Sequence, residues 1–235
     1  MSILKVENFS SGYGKKQVLY NISFEVDKGE IVLVAGSNGS GKSTLLKAIY
    51  GQLPQWGDGQ VLFDGENITG KPTAALLDKG LLYIPQKNNL FEELTVKENL
   101  EIAGLTIEKR LLKKRIEEAF SVFNSLAPSV KRTPMTLSGG ERQLLTMAMA
   151  TLHQPKMILV DEPFAGLSPK NIEFVIDNFI KLNKLFDVTL AIVEHRVKEC
   201  LKIVDKIICV KYGKVYNSIV INEDFNINEL KSVFL

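Results

Sequence analysis

The sequence predicts an α/β fold: a mainly parallel sheet wrapped by helices, with an antiparallel β subdomain at the N-terminus and a helical insertion. Three observations predict it. Short continuous apolar runs recur along the chain, as expected for strands covered on both faces. Segments with helical spacing alternate with those runs, which is the pattern of a parallel sheet. The first sixty or so residues are strand-rich, with period-two alternation over Ile22 to Val26.

Taken in order, Ile22, Phe24 and Val26 alternate with Ser23 and Glu25, the signature of a half-buried strand. IVLVA (31–35) is apolar throughout and reads as a central strand. VLFDG (61–65) reads as an antiparallel piece ending in an Asp-Gly turn. LLYIPQ (81–86) is a short buried strand stopped by Pro85. From about 95 to 127 the character changes. Thr95 and Glu98 form a capping-box pair, and Ile116, Ala119, Phe120 and Phe123 share one helical face. Buried strands return at MILV (157–160), VTLAIV (188–193) and IICV (207–210). Between the first two, Ile172, Val175, Ile176, Phe179 and Ile180 mark a helix, capped by Ser168 with Pro169 at its first position. The predicted division is a catalytic core with its β subdomain over about 1–86 and 155–216, a helical subdomain over about 87–154, and a short tail from 217 to 235.

At 235 residues the chain is long enough for one domain with subdomains, and 45% hydrophobic with 24% charged residues is ordinary for a globular protein. A formal charge of +2, with acids and bases interspersed, gives no electrostatic case for nucleic acid or an anionic membrane as partner. Cys200 and Cys209 lack metal or redox spacing, so a reduced, cytosolic setting is expected. MSILKVENFS has no signal-segment pattern, and no apolar run approaches the roughly 18–20 residues that span a bilayer. Any membrane-spanning part is expected from another chain.

Between IVLVA and LLKAIYG lies GSNGSGKST: Gly36, Ser37, Asn38, Gly39, Ser40, Gly41, Lys42, Ser43 and Thr44. It fits G-x-x-x-x-G-K-[ST], the P-loop. Glycines let successive amides point inward at phosphate oxygens, and the helix starting near Lys42 adds its positive dipole end. Lys42 suits the β- and γ-phosphates and the Ser43 hydroxyl suits Mg²⁺. By chance the pattern arises in a chain this long on the order of one time in a hundred. A nucleoside triphosphate site on a P-loop NTPase core is expected.

MILVDEP then delivers Asp161 to the carboxyl edge of the sheet, to bind Mg²⁺ through water, with Glu162 placed to orient or deprotonate an attacking water. Two acids after a strand are by themselves more often a solvated loop; beside a P-loop they read as the Walker B element. In LSGGERQLL (137–145), Ser138 and Glu141 form a capping box, and Gly139 and Gly140 leave the first amides of the helix bare. That is a second phosphate-facing helix start. Two copies placed head to tail would let each P-loop close on the other's Ser138-Gly139-Gly140.

At these residues the chain resembles the ATP-binding cassette (ABC) family along essentially its whole length. GSNGSGKST resembles Walker A, MILVDEP Walker B and LSGGE the signature motif. The resemblance implies further roles. Tyr13 in SGYGKKQVL is similar to the aromatic that stacks on adenine. Gln86 in YIPQ is similar to the glutamine that touches Mg²⁺ and reports to the membrane partner. AGLSP is similar to the D-loop, and His195 in IVEHR to the histidine at the γ-phosphate. Taken singly, Tyr13, Gln86 and His195 read as ordinary structural residues; the order of the motifs makes them functional. His153 is read as a helix-end or surface residue. Two positions depart from the pattern, Ser168 where the D-loop commonly ends in aspartate and Arg196 where an aspartate commonly follows the histidine.

What the family implies is an ATPase using ATP and Mg²⁺, paired with a second cassette of the same or a sister chain. It would dock on integral membrane permease subunits at the cytoplasmic face of the plasma (inner) membrane, without touching the transported substrate. Gln86 to Leu100, with Leu90, Phe91 and Leu94, is the expected groove for the permease. LFEELTVKENLEIAG, SLAPSVKRTPMTLSGGE and DEPFAGLSP resemble cassettes of branched-chain amino acid uptake, with lipopolysaccharide export as the alternative. A cassette serving a soluble scaffold, as in iron–sulfur cluster assembly, is the rival class. A small P-loop kinase has no use for LSGGE.

Overall fold

The computed structural model describes residues 1–87, 89–222 and 225. The N-terminal part is a long antiparallel hairpin of β1 (Ser2–Tyr13) and β2 (Lys16–Asp27), followed by β3 (Ile31–Ala35), α1 (Lys42–Ile49), β4 (Gln55–Trp56), β5 (Gln60–Phe63) and β6 (Glu66–Asn67). Next come α2 (Thr73–Asp78) and β7 (Leu81–Ile84), then α3 (Val96–Ala103), α4 (Lys109–Val122), two 3₁₀ turns at Asn124–Ser129 and Pro134–Thr136, and α5 (Gly139–Thr151). The chain returns to the sheet through β8 (Met157–Asp161), α6 (Pro169–Phe186), β9 (Thr189–Val193), α7 (Val197–Cys200), β10 (Lys206–Lys211) and β11 (Lys214–Val220).

These strands make two sheets. One is antiparallel, in the order β2-β1-β5-β6 with β4 also on β1; the other runs β11-β10-β3-β9-β8-β7. Within the second sheet every pair is parallel except β10 with β11. The predicted α/β class, with its antiparallel β part and helical insertion, is what the chain adopts.

The apolar runs are continuous because each strand faces two cores. In β3, Ile31, Leu33 and Ala35 enter the core covered by α3, α5 and α6, whereas Val32 and Val34 enter the core shared with α1 and the antiparallel sheet. The same division separates Ile158 and Val160 from Met157 and Leu159, and Leu190 and Ile192 from Ala191 and Val193. Successive side chains point to opposite faces, so a strand buried on both sides has no polar position to spare.

The capping residues act as the sequence implies. Thr95 and Ser138 each sit in a reciprocal box, with Glu98 and Glu141, and Ser168 accepts from the Asn171 amide at the start of α6. The Asp64-Gly65 turn joins β5 to β6, both residues having positive φ.

The tail predicted from residue 217 needs correction. Asn217 to Val220 complete β11, which pairs with β10 up to Lys206–Val220. An edge strand draws its backbone partners from one neighbour and tolerates the polar Asn217-Ser218 pair. The Ile221 amide then bonds to the Asp205 carbonyl, and Phe225 packs on the larger core; otherwise the expected tail lies outside the described residues. His153 follows α5, half-buried, its Nε2 2.8 Å from the Ala103 carbonyl.

Candidate functional site

The carboxyl ends of β3, β7, β8 and β9 converge on one edge of the parallel sheet, the usual place for ligands in such folds. β3 runs into the loop Gly36–Gly41, and α1 starts at Lys42 with Gly41 as its left-handed cap. Gly36 is tightly backed: a Cβ there would fall 2.1 Å from the Val210 carbonyl oxygen and 2.7 Å from Ser40 Oγ. The far side of the loop is pinned by the turn between β10 and β11, where the Gly213 amide donates to the Ser40 carbonyl at 2.9 Å. Lys42 is buried, and its Nζ donates to the carbonyls of Gly36 (3.0 Å) and Ser37 (2.9 Å). Burial holds its ammonium below the usual lysine range, against the attraction of Glu162, Asp161 and Glu194.

Ser43 Oγ donates to Asp161 Oδ1 at 2.7 Å, so the first turn of α1 meets the end of β8. The other oxygen of Asp161 accepts from the Tyr83 hydroxyl at 3.1 Å. Tyr83, like Leu81, faces away from Leu82 and Ile84 in β7, and its ring packs against Tyr50 with centroids 5.7 Å apart. Burial first, and then the Asp161 charge, raise its phenol well above the usual range.

Glu162 follows with φ 47°, in the left-handed region that side chains with a Cβ rarely adopt. Its amide donates to the Val193 carbonyl at 2.9 Å, tying it to β9. Its carboxylate is bracketed: His195 Nε2 lies 2.7 Å from Oε1, and Gln86 Nε2 donates to Oε2 at 2.5 Å. Asn38, Gly39, Gly41, Lys42, Ser43 and Thr44 line a cavity of about 450 Å³ with Val18, Glu162 and His195. The loop, the acids, the glutamine and the histidine thus meet at one place.

The signature residues lie elsewhere on the chain. Ser138, Gly139, Gly140 and Glu141 begin α5 and are not among the walls of the Lys42 cavity. Gly139 instead borders a second hollow with Gln86, Ala165 and Gly166. A Cβ on Gly139 would lie 2.6 Å from Leu167 Cδ2, and one on Gly140 3.2 Å from Phe174 Cδ1. Within one chain these glycines serve close packing against α6 and the loop before it. Tyr13 ends β1, 46% exposed, and does not wall the cavity either.

Three residues near the site were not singled out from the sequence: Val18, Tyr83 and Glu194. The last two carried a signal. A tyrosine inside an apolar strand requires a partner for its hydroxyl, and a glutamate directly after five buried strand residues is a charge held where water is scarce.

The comparisons with known proteins agree with this geometry. The family model described as ABC transporter matches residues 19–165. The chain belongs to the ABC transporter family. This ABC cassette is 40% identical over 213 residues to the probable branched-chain amino acid transport ATP-binding protein LivF of Archaeoglobus fulgidus, covering 91% of this chain and 90% of that one. It is 34% identical, over 91% of both, to the high-affinity branched-chain amino acid transport ATP-binding protein BraG of Pseudomonas aeruginosa. It is 33% identical, over 100% of itself and 98% of the relative, to the lipopolysaccharide export ATP-binding protein LptB of Haemophilus influenzae. Among solved structures, the ADP conformation of an ATP-binding cassette of an ABC transporter superposes with a TM-score of 0.87 at 30% identity, covering 95% and 93% of the two chains. A dimeric post-hydrolysis cassette bound to ADP and phosphate gives 0.79 at 26% identity, covering 93% and 99%. The cassette is therefore a nucleotide-binding ATPase and the ATP-binding subunit of an ABC transporter.

The donors present fit Mg²⁺. Ser43 hydroxyl, Asp161 carboxylate and Gln86 amide oxygen are hard ligands of the kind that ion takes. Among the described residues no group of three or more His, Cys, Asp or Glu could hold a metal unaided. No helix among the described residues is long and apolar enough to cross a membrane.

Proposed function

We propose that this cassette powers the import of branched-chain amino acids through separate integral membrane permease subunits, working as a dimer of cassettes on the cytoplasmic face of the membrane. The observation that carries the reading is likeness to LivF and BraG over nine-tenths of both chains. The full-length likeness to LptB supports lipopolysaccharide export as the second reading.

In the proposed mechanism the amides of Gly39, Ser40 and Gly41 cradle the phosphates, with Lys42 on the β- and γ-phosphates and Tyr13 against adenine. Ser43 and Gln86 would hold Mg²⁺, with Asp161 acting on it through water, and the bound ion would supply neutralisation of charge on the phosphate oxygens. Glu162 orients the attacking water and accepts its proton, while His195 steadies both Glu162 and the γ-phosphate. Catalysis of this kind is chiefly positioning and charge stabilisation. Ser138, Gly139 and Glu141 of the second cassette close the nucleotide from the opposite side. The unit from about 87 to 154 serves as the helical subdomain, and Leu90, Phe91 and Leu94 as permease contacts; Asn88 of that stretch lies outside the described residues.

Two experiments test this. Glu162→Gln is expected to keep ATP binding, to accumulate as a dimer in ATP by light scattering, and to lose about a hundredfold or more in turnover. Wild-type turnover in that variant refutes the role given to Glu162. For the transported substrate, the tagged cassette is purified with its membrane partners and reconstituted into proteoliposomes. ATP-driven accumulation of leucine, isoleucine and valine supports import. Extraction of lipopolysaccharide, or co-purification with soluble proteins alone, overturns it.

A further inference from the structure

We infer that Glu194 is a positioning residue for hydrolysis, whose buried carboxylate fastens the loop after β8 to the loop after β9 and so sets Glu162 against His195. The inference rests on the reading of Glu162 and His195 as the hydrolysis pair.

Glu194 follows β9 directly and is 3% exposed. Its Oε1 accepts the Phe164 amide at 2.6 Å, and its Oε2 accepts the amides of His195 at 2.9 Å and Arg196 at 3.4 Å. One oxygen therefore holds the chain two residues past Glu162, and the other holds the chain at the histidine. The Glu162–His195 contact of 2.7 Å lies between these two anchors.

Glu162 needs such anchoring. A left-handed conformation in a residue with a Cβ persists only where the surroundings over-determine it. The Val193 carbonyl fixes its amide, and the Ala165 amide caps its carbonyl at 3.2 Å. Beyond it, the Phe164 ring is fully buried against Phe179, with centroids 6.4 Å apart. Between the ring and the Glu194 carboxylate, the backbone at Phe164 is held from both sides.

The chemistry calls for a carboxylate at this point. Three N–H donors converge on one side chain, and an ionised glutamate is acceptor-only, with lone pairs for all of them. Glutamine would turn an NH₂ toward amides that also donate. Burial pushes the Glu194 carboxyl above its usual range and the Glu162 charge adds to this, while the three amides pull it back. Lys42 also feels the Glu194 charge. A charge kept in a dry place beside reacting groups is a mark of function.

The test compares Glu194→Gln, Glu194→Asp and Glu162→Gln in the full-length cassette, with ATP as the probe. Expected for Glu194→Gln is a fall in kcat of about tenfold or more with the ATP Kd within about threefold of wild type. Aspartate keeps the charge but withdraws one methylene, so Glu194→Asp is expected at an intermediate rate with the same affinity. It also serves as the readout should the glutamine variant fail to fold. Wild-type kcat in both folded variants overturns the inference, as does a fall in kcat matched by an equal loss of affinity. If Glu162→Gln is inactive while the Glu194 variants turn over normally, only the positioning role fails. If Glu162→Gln itself turns over normally, the hydrolysis pair has been misassigned and the inference falls with it.

Discussion

Gly36→Ala, set against Gly39→Ala, tests the role of space in the phosphate loop. Gly36 has φ 159°, a backbone conformation that residues with a Cβ rarely adopt, so an alanine there meets backbone strain as well as the crowding of its added methyl. That methyl carbon would stand 2.1 Å from the Val210 carbonyl oxygen, a backbone atom of β10 held on both sides by strand pairing. Such contacts are essentially never closer than about 3 Å, so the loop has to move by about 0.9 Å away from β10. Overpacking of this sort costs about 1–3 kcal/mol, which in a chain of this size lowers Tm by roughly 2–12 °C. A displacement near 1 Å in a positioning loop costs about a hundredfold in kcat/KM. Thermal melts with and without ATP, alongside steady-state hydrolysis, measure both. Gly39→Ala is the control, because nothing lies within 4 Å of its Cβ and only its φ of 76° is unfavourable. A Gly36→Ala cassette with wild-type Tm, ATP affinity and kcat/KM would refute the argument from crowding.

Two further outcomes follow from the electrostatics and hydrogen bonding of the site. Burial lowers the Lys42 pKa, so folding penalises its charged form fully below the folded pKa and progressively less as pH rises through that value toward 10.5. Lys42→Met is thus expected to melt no lower than wild type at pH 7–8 and to gain nothing from ATP. Its advantage should shrink as the pH rises toward 10.5, and an advantage that grows over this range counts against the assignment. Tyr83→Phe removes one donor from the Asp161 carboxylate, a loss of about 1–3 kcal/mol for a bond to a charged acceptor. Hydrolysis by Tyr83→Phe should demand more Mg²⁺ while ATP binding without Mg²⁺ is unchanged; an unaltered Mg²⁺ titration speaks against the tyrosine as a support for the ion.

Much of the fold was legible because local and global signals coincide. Five-residue apolar runs such as IVLVA cannot be half-exposed, and Thr95, Ser138 and Ser168 each stand three residues before the amide they accept. The phosphate loop was legible for the same reason, since its glycines and lysine act within a few residues of one another. What depends on strand order was not. Tyr83 and Asp161 are neighbours because β7 lies beside β8, and the amides of Phe164 and His195 share one carboxylate because β8 lies beside β9. Nothing in LLYIPQ or IVEHR by itself announces those adjacencies. The two long strands of the first hairpin were only partly visible, because β-bulges interrupt their alternation, as at Val6/Phe9 and Phe9/Ser11.

The strand that carries the phosphate loop has β9 on one side and β10 on the other, both made more than 150 residues later in the chain. The back of the loop rests on Gly213, near the end of the described chain. During synthesis, then, the N-terminal hairpin can form as soon as it emerges, whereas the nucleotide cradle stays unbuilt until β9, β10 and the turn at Gly213 have left the ribosome. A nascent or truncated cassette ending before β10 would lack both the Val210 carbonyl behind Gly36 and the Gly213 amide that holds Ser40, leaving the phosphate loop without its backing.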